Sequence, residues 1–189
     1  MTLQLNHNVI IQYFPLICLT IILLIASFTD FCTQKIPNIL TLTSVFVAIS
    51  YHLYSGGFQG FLFSFFGVFI GIVVLIIPYA MGGMGAGDVK LMGAVGSFLG
   101  AKGVFISFLF TALFGGVYAL IIILVFRKIF QGYFRQLFHS ILNFLLTRKY
   151  SPAPLTENKK KPRLCYGIAI ALGTFTYMGL HIFGYKFLP

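Results

Sequence analysis

Acidic residues are nearly missing from this chain: among 189 residues there are three, Asp30, Asp88 and Glu157, against thirteen Lys and Arg. Charge of either sign is scarce, at 8% of the sequence, while 59% is hydrophobic. A soluble domain surrounds its core with roughly 25% charged residues, so this composition excludes a water-soluble globular protein and makes lipid the solvent. Cysteine is limited to Cys18, Cys32 and Cys165, far apart and without a Cys-x-x-Cys pair. That excludes a disulfide framework and a zinc site of the usual spacing. His7, His52, His139 and His181 are dispersed and form no ligand set.

The net charge of +10 raises nucleic acid as a partner, but its distribution argues against one. Nine of the thirteen basic residues fall between Arg127 and Arg163, and the others stand singly at the ends of apolar runs. This is the pattern of a cytoplasmic loop under the positive-inside rule, with anionic lipid headgroups as its expected contact.

A membrane span takes about twenty mostly apolar residues. Residues 9–28 meet that length with Pro15 inside. They have no basic segment ahead of them and are closed by an acid, so they read as a retained transmembrane helix rather than a cleaved signal. After a polar stretch, Pro37 is placed for the first turn of a second span reaching Tyr54. Gly56, Gly57 and Gly60 predict a tight turn, and residues 61–79 a third span whose Gly67-x-x-x-Gly71 would let a neighbour approach closely. Beyond a glycine-rich loop, residues 88–100 have the pattern of a helix only ~20 Å long, shorter than the roughly 30 Å hydrocarbon core. That segment is either short and deeply packed or re-entrant. Residues 103–126 and 164–187 complete about six spans in one all-α domain over 1–189. Between them, 131–147 alternates Phe134, Leu137, Phe138, Ile141, Leu142 and Leu145 with polar residues at helical spacing. It predicts an amphipathic helix in the interface, or an extension of the preceding span. Residues 150–162 form a polar, Lys-rich loop.

With 127–163 in the cytoplasm, counting backwards puts the loops holding Asp88 and Asp30 on the cytoplasmic side and both termini outside. An ionisable group at the edge of the hydrocarbon is expensive and reads as functional. Two carboxylates close together cannot both ionise easily and share a proton. The ionised member can activate a water for attack on a carbonyl; the protonated member can hydrogen-bond the carbonyl oxygen and protonate the leaving amine. This chemistry calls for no metal or organic cofactor. Gly85 and Gly87 leave room beside Asp88 for an extended peptide.

The string Gly85-Ala86-Gly87-Asp88-Val89-Lys90-Leu91-Met92 resembles the Gly-x-Gly-Asp motif of type IV prepilin peptidases. Asp30-x5-Ile36-Pro37-Asn38 is similar to that family's first catalytic aspartate with its downstream Ile-Pro-Asn, and Tyr166-Gly167-x-Ala169-Ile170-Ala171-x-Gly173 to its closing motif. The resemblance implies a membrane aspartic endopeptidase of the plasma membrane, with Asp30 and Asp88 catalytic, whose substrates are prepilins or pseudopilins with a basic leader and an apolar helix, and which trims that leader at the cytoplasmic face. It also gives Lys35, Pro37, Asn38, Lys90, Tyr166 and Gly167 as site-shaping or substrate-binding candidates. Lys35 and Lys90 read either as orienting groups or as snorkelling anchors. The cysteine-bearing insertion of methylating members is not found, so the chain looks like the short, peptidase-only form of Flp/tight-adherence and archaeal preflagellin peptidases, with no methyltransferase activity expected. Cys165 stands where that family commonly has Pro. Two other classes fit paired intramembrane acids: a small ion- or proton-coupled transporter, which should show inverted repeats, and a pilus-assembly scaffold that has kept the fold.

Overall fold

The computed structural model describes residues 2–125 and 165–184, and every element among them is a helix. In chain order these are α1 (Thr2–Thr33), α2 (Asn38–Ala80), α3 (Ala86–Val125) and α4 (Tyr166–Ile182). Three contain stretches long and apolar enough to cross a membrane, Tyr13–Thr33, Asn38–Ala80 and Ala86–Ile122, and α4 is a shorter apolar helix. The described residues are therefore those of a membrane protein, and all their elements are helical. Two compact units divide it, Met1–Gly115 with Leu164–Pro189, and Gly116–Arg163; the packing described below is that of the first. The expected amphipathic helix 131–147 and the loop 150–162 lie outside the described residues.

Both long helices are interrupted at a glycine. Gly57 in α2 has φ 57° and ψ −141°, and Gly100 in α3 has φ 72° and ψ 179°, backbone conformations that a side chain disfavours. These positions match the expected turn after Tyr54 and the expected end of the short helix. Residues 91–98 between them and the site are all buried, which makes 86–99 the innermost segment of the unit.

Glycine also sets the closest packing. A Cβ at Gly67 would stand 1.9 Å from the Gly96 carbonyl oxygen, and one at Gly71 would stand 2.4 Å from that of Met92. Ser64 adds a hydrogen bond from its Oγ to the Ser97 carbonyl at 2.8 Å. The order of these pairs shows that 58–80 runs antiparallel to 86–99 with main chain on main chain, as the Gly67-x-x-x-Gly71 spacing predicts. Around this seam Leu19, Leu23, Leu75, Leu91, Met92, Val95 and Ile170 fill the core, while Phe28, Phe65, Phe66, Phe69 and Ile77 face outward as a lipid-facing surface would.

Helix ends differ from the sequence expectation, beginning with α1, which starts at Thr2 rather than at residue 9. α1 continues past Phe28 to Thr33, so Asp30 is inside a helix rather than in a polar connection. The threonines there satisfy themselves, Thr29 Oγ1 donating to the Ala26 carbonyl at 3.0 Å and Thr33 Oγ1 to that of Thr29 at 2.8 Å. The helix stops where Gln34 turns to φ 53°. Pro37 is the N-cap of α2, one residue ahead of its first turn. α4 is shorter than 164–187: Gly184 at φ 83° closes it, with its N–H on the His181 carbonyl at 3.2 Å.

Candidate active site

The first N–H groups of a helix have no partner within it, and α4 begins at Tyr166 without a side-chain cap from Cys165. Its acceptor comes from α1, 137 residues earlier. Asp30, only 6% exposed, accepts the Gly167 N–H on Oδ2 at 2.9 Å. The positive end of the α4 dipole adds to the attraction. Only glycine fits there: a Cβ at 167 would lie 2.9 Å from Asp30 Oδ2 and 3.2 Å from its Cγ.

Asp88 is held in a related way by the start of its own helix. It is the third residue of α3 and 7% exposed. Its Oδ2 accepts the Gly85 N–H at 3.0 Å, while its own N–H donates to the Gly85 carbonyl at 3.1 Å. This is the N3 half of a capping box, built with an aspartate, while the Gly85 main-chain carbonyl takes the N–H that an N-cap side chain would otherwise accept. Gly87 lets the helix start press on the α1–α2 connection, since a Cβ there would be 3.2 Å from the Ile36 Cβ. Each carboxyl group thus caps a helix N-terminus, and the two helix starts meet at one end of the unit.

Asp30 and Asp88 line a single cavity of ≈ 360 Å³. Lys35, Asn38, Gly85, Gly87 and Lys90, all singled out in the sequence, line it as well. Lys90 donates from Nζ to Asn38 Oδ1 at 2.9 Å, tying α3 to the start of α2. Three other candidates stand off the wall. Gly167 acts through Asp30, Tyr166 packs its ring on Gly115, where a Cβ would be 2.9 Å from the ring, and Pro37 caps α2. Gln34, Ile36 and Ala86, which also line the cavity, are not among the site candidates of the sequence. Gln34 is there because the chain leaves α1 through a left-handed residue, and glutamine carries no signal for that conformation.

Cys165, at the N-cap of α4, reports on the same place. Burial raises its thiol pKa, and the charges of Asp30 and Asp88 raise it further. Among the described residues no group of three or more His, Cys, Asp or Glu is arranged to hold a metal ion.

This is a paired-carboxylate cavity with two cations at its rim, formed where apolar helices end. No curated protein and no solved structure matches the chain. The profile of the type IV leader peptidase family matches residues 17–120, more than half of the sequence, and takes in both aspartates, the Ile36-Pro37-Asn38 block and the glycine loop. By that match, the chain belongs to the type IV leader peptidase family.

Proposed function

We propose that this protein is a membrane-embedded aspartic endopeptidase that removes the basic leader from type IV prepilin-like precursors, with Asp30 and Asp88 as its catalytic pair. Family membership makes it a leader peptidase acting on pilin-like substrates in general. The observation that carries the finer reading is that the two buried carboxylates open on one cavity. With Oδ2 of each fixed by a main-chain N–H, Oδ1 is the atom left to exchange a proton with water.

The pair holds one proton and titrates as a unit. Its ionised member takes a proton from a water, and the resulting hydroxide oxygen bonds to the scissile carbonyl carbon. The protonated member hydrogen-bonds the carbonyl oxygen. When the tetrahedral intermediate collapses, the C–N bond breaks and the leaving nitrogen takes a proton from the acid, releasing the leader carboxylate and a new N-terminal amine. Both helix starts contribute fixed N–H dipoles, which limits reorganisation during the reaction.

The breaks at Gly57 and Gly100 divide the four described helices into six segments, and this supports a six-crossing arrangement. In that arrangement the cavity faces the cytoplasm, where the basic residues between Arg127 and Arg163 hold anionic headgroups.

Co-expression with a prepilin-like precursor, followed by leader removal on a gel, tests the reading. Asp30→Ala and Asp88→Ala are each expected to abolish processing while the protein accumulates in the membrane. Normal processing by both variants refutes the catalytic pair. Ion or solute uptake that needs both acids, without cleavage, would make the protein a transporter instead.

A further inference from the structure

The catalytic cavity does not end at its polar wall. Asn38 and Lys90 also line a second cavity of ≈ 380 Å³, which opens beside the first between the early part of α2, its later part and the start of α3. Apart from these two shared residues its walls are apolar, carried by Leu42, Val45, Val68 and Ile72. The one hydroxyl among them, on Thr41, is satisfied by the Asn38 carbonyl at 3.1 Å. The groove therefore offers a polar ligand nothing to bond beyond its mouth. Leu42 and Ile72 are exposed on the outer surface of the unit, so in a bilayer the groove opens sideways to lipid.

We propose that this groove seats the apolar helix of the precursor, its first turn after the scissile bond, while the basic leader stays on the water-facing side of the cavity. The proposal rests on the peptidase reading above and assigns the two halves of the substrate to two places. Continuity is the first argument: a peptide bond held between the aspartates has an apolar path directly adjoining it, and the shared residues Asn38 and Lys90 mark the junction. Charge is the second. The Lys90 ammonium, fixed on Asn38 at that junction, repels a basic leader and lets an apolar segment pass. Solvation is the third, because a helix already lodged in the bilayer reaches a lateral groove without leaving hydrocarbon.

The test uses the full chain in proteoliposomes with two substrates: a whole precursor, and a short peptide that spans the cleavage junction but stops before the apolar helix. Val68→Phe and Leu42→Trp fill the groove without touching the catalytic cavity. Each is expected to raise KM for the precursor about tenfold, the factor that loss of one buried aliphatic contact represents, and to leave cleavage of the short peptide unchanged. A second measurement covers the case in which a filled groove disturbs folding. In a chain with Cys18, Cys32 and Cys165 replaced by Ser, Leu42→Cys is expected to cross-link to a single cysteine in the first apolar turn of the precursor. Phe105→Cys, equally outward-facing on α3, is not. Equal cleavage of both substrates by the filled variants, or equal cross-linking at both positions, overturns the groove. No cross-link at Leu42→Cys while the wild-type precursor is still cut means that lipid fills the groove, and overturns it too. Failure of the wild type to cut either substrate overturns the peptidase reading itself, a result distinct from all of these.

Discussion

Gly167→Ala is the substitution that separates the geometry of Asp30 from its mere presence. The new methyl would be placed 2.9 Å from Asp30 Oδ2 and 3.2 Å from its Cβ and Cγ, where ordinary contacts begin near 3.4 Å. The carboxylate must then shift or rotate, and its 2.9 Å hydrogen bond from the Gly167 N–H is lost or lengthened. A hydrogen bond to a charged group contributes about 1.5–3 kcal/mol. At ~1.4 kcal/mol per tenfold in rate, that predicts a fall in kcat of roughly 10- to 150-fold. Overpacking also costs stability, about 1–3 kcal/mol, so the rate has to be normalised to folded protein measured by thermal unfolding in detergent. Gly173→Ala supplies the contrast. Its methyl would stand 2.4 Å from both the main-chain N and the Oγ1 of Thr111, in the same helix but at no wall of the cavity. It is expected to lower Tm while the folded fraction keeps its specific activity. The assay is initial-rate leader removal with purified enzyme. Wild-type kcat in Gly167→Ala, at unchanged Tm, would show that the amide of α4 does not hold a catalytic carboxylate.

Other expected outcomes follow from the same contacts. Gly67→Val places a side chain against the Gly96 carbonyl, main chain on main chain, and should prevent accumulation of folded protein, read by fluorescence-detected size exclusion; a normal yield would contradict the antiparallel seam. Ser64→Ala removes a buried donor to the Ser97 carbonyl and should cost about 1 kcal/mol of stability with specific activity unchanged, since Ser64 is remote from the cavity; an activity loss larger than the stability loss would count against this. Because burial and then Asp30 and Asp88 raise the Cys165 thiol, Asp30→Asn and Asp88→Asn should move its alkylation-rate profile to lower pH, the thiolate now forming with less opposing charge. An unmoved profile in both variants would place Cys165 out of reach of the pair.

How far the sequence could be read depended on whether a feature was local. The breaks at Gly57 and Gly100, the close approach at Gly67 and Gly71, and the buried stretch after Asp88 follow from glycine spacing and apolar periodicity, and the structure has them where the pattern puts them. The α1 end lies beyond the apolar run because polar residues do not by themselves end a helix: the hydroxyls of Thr29 and Thr33 are satisfied inside it by carbonyls one turn back, and the chain leaves it only at Gln34. The cavity candidates were legible as residue types, yet the bond that positions Asp30 was not. Gly167 stands in the string only as a site-shaping candidate, and nothing there shows that its amide meets an aspartate 137 residues away.

That long-range bond explains why the stretch matched by the family, residues 17–120, cannot be the whole site. It contains both aspartates and the glycine loop, so Asp88 is held entirely within it. Asp30 is not. Its partner amide comes from α4, and the tyrosine beside that amide packs on Gly115 near the end of the matched stretch. Without α4, the Asp30 carboxylate would be left at the end of α1 facing the negative pole of its own helix dipole, an unfavourable place for an anion. Docking α4 reverses that sign by presenting a helix N-terminus instead. The last helix therefore completes the electrostatics of the pair as well as the packing, and the chain closes its site only when its two ends meet.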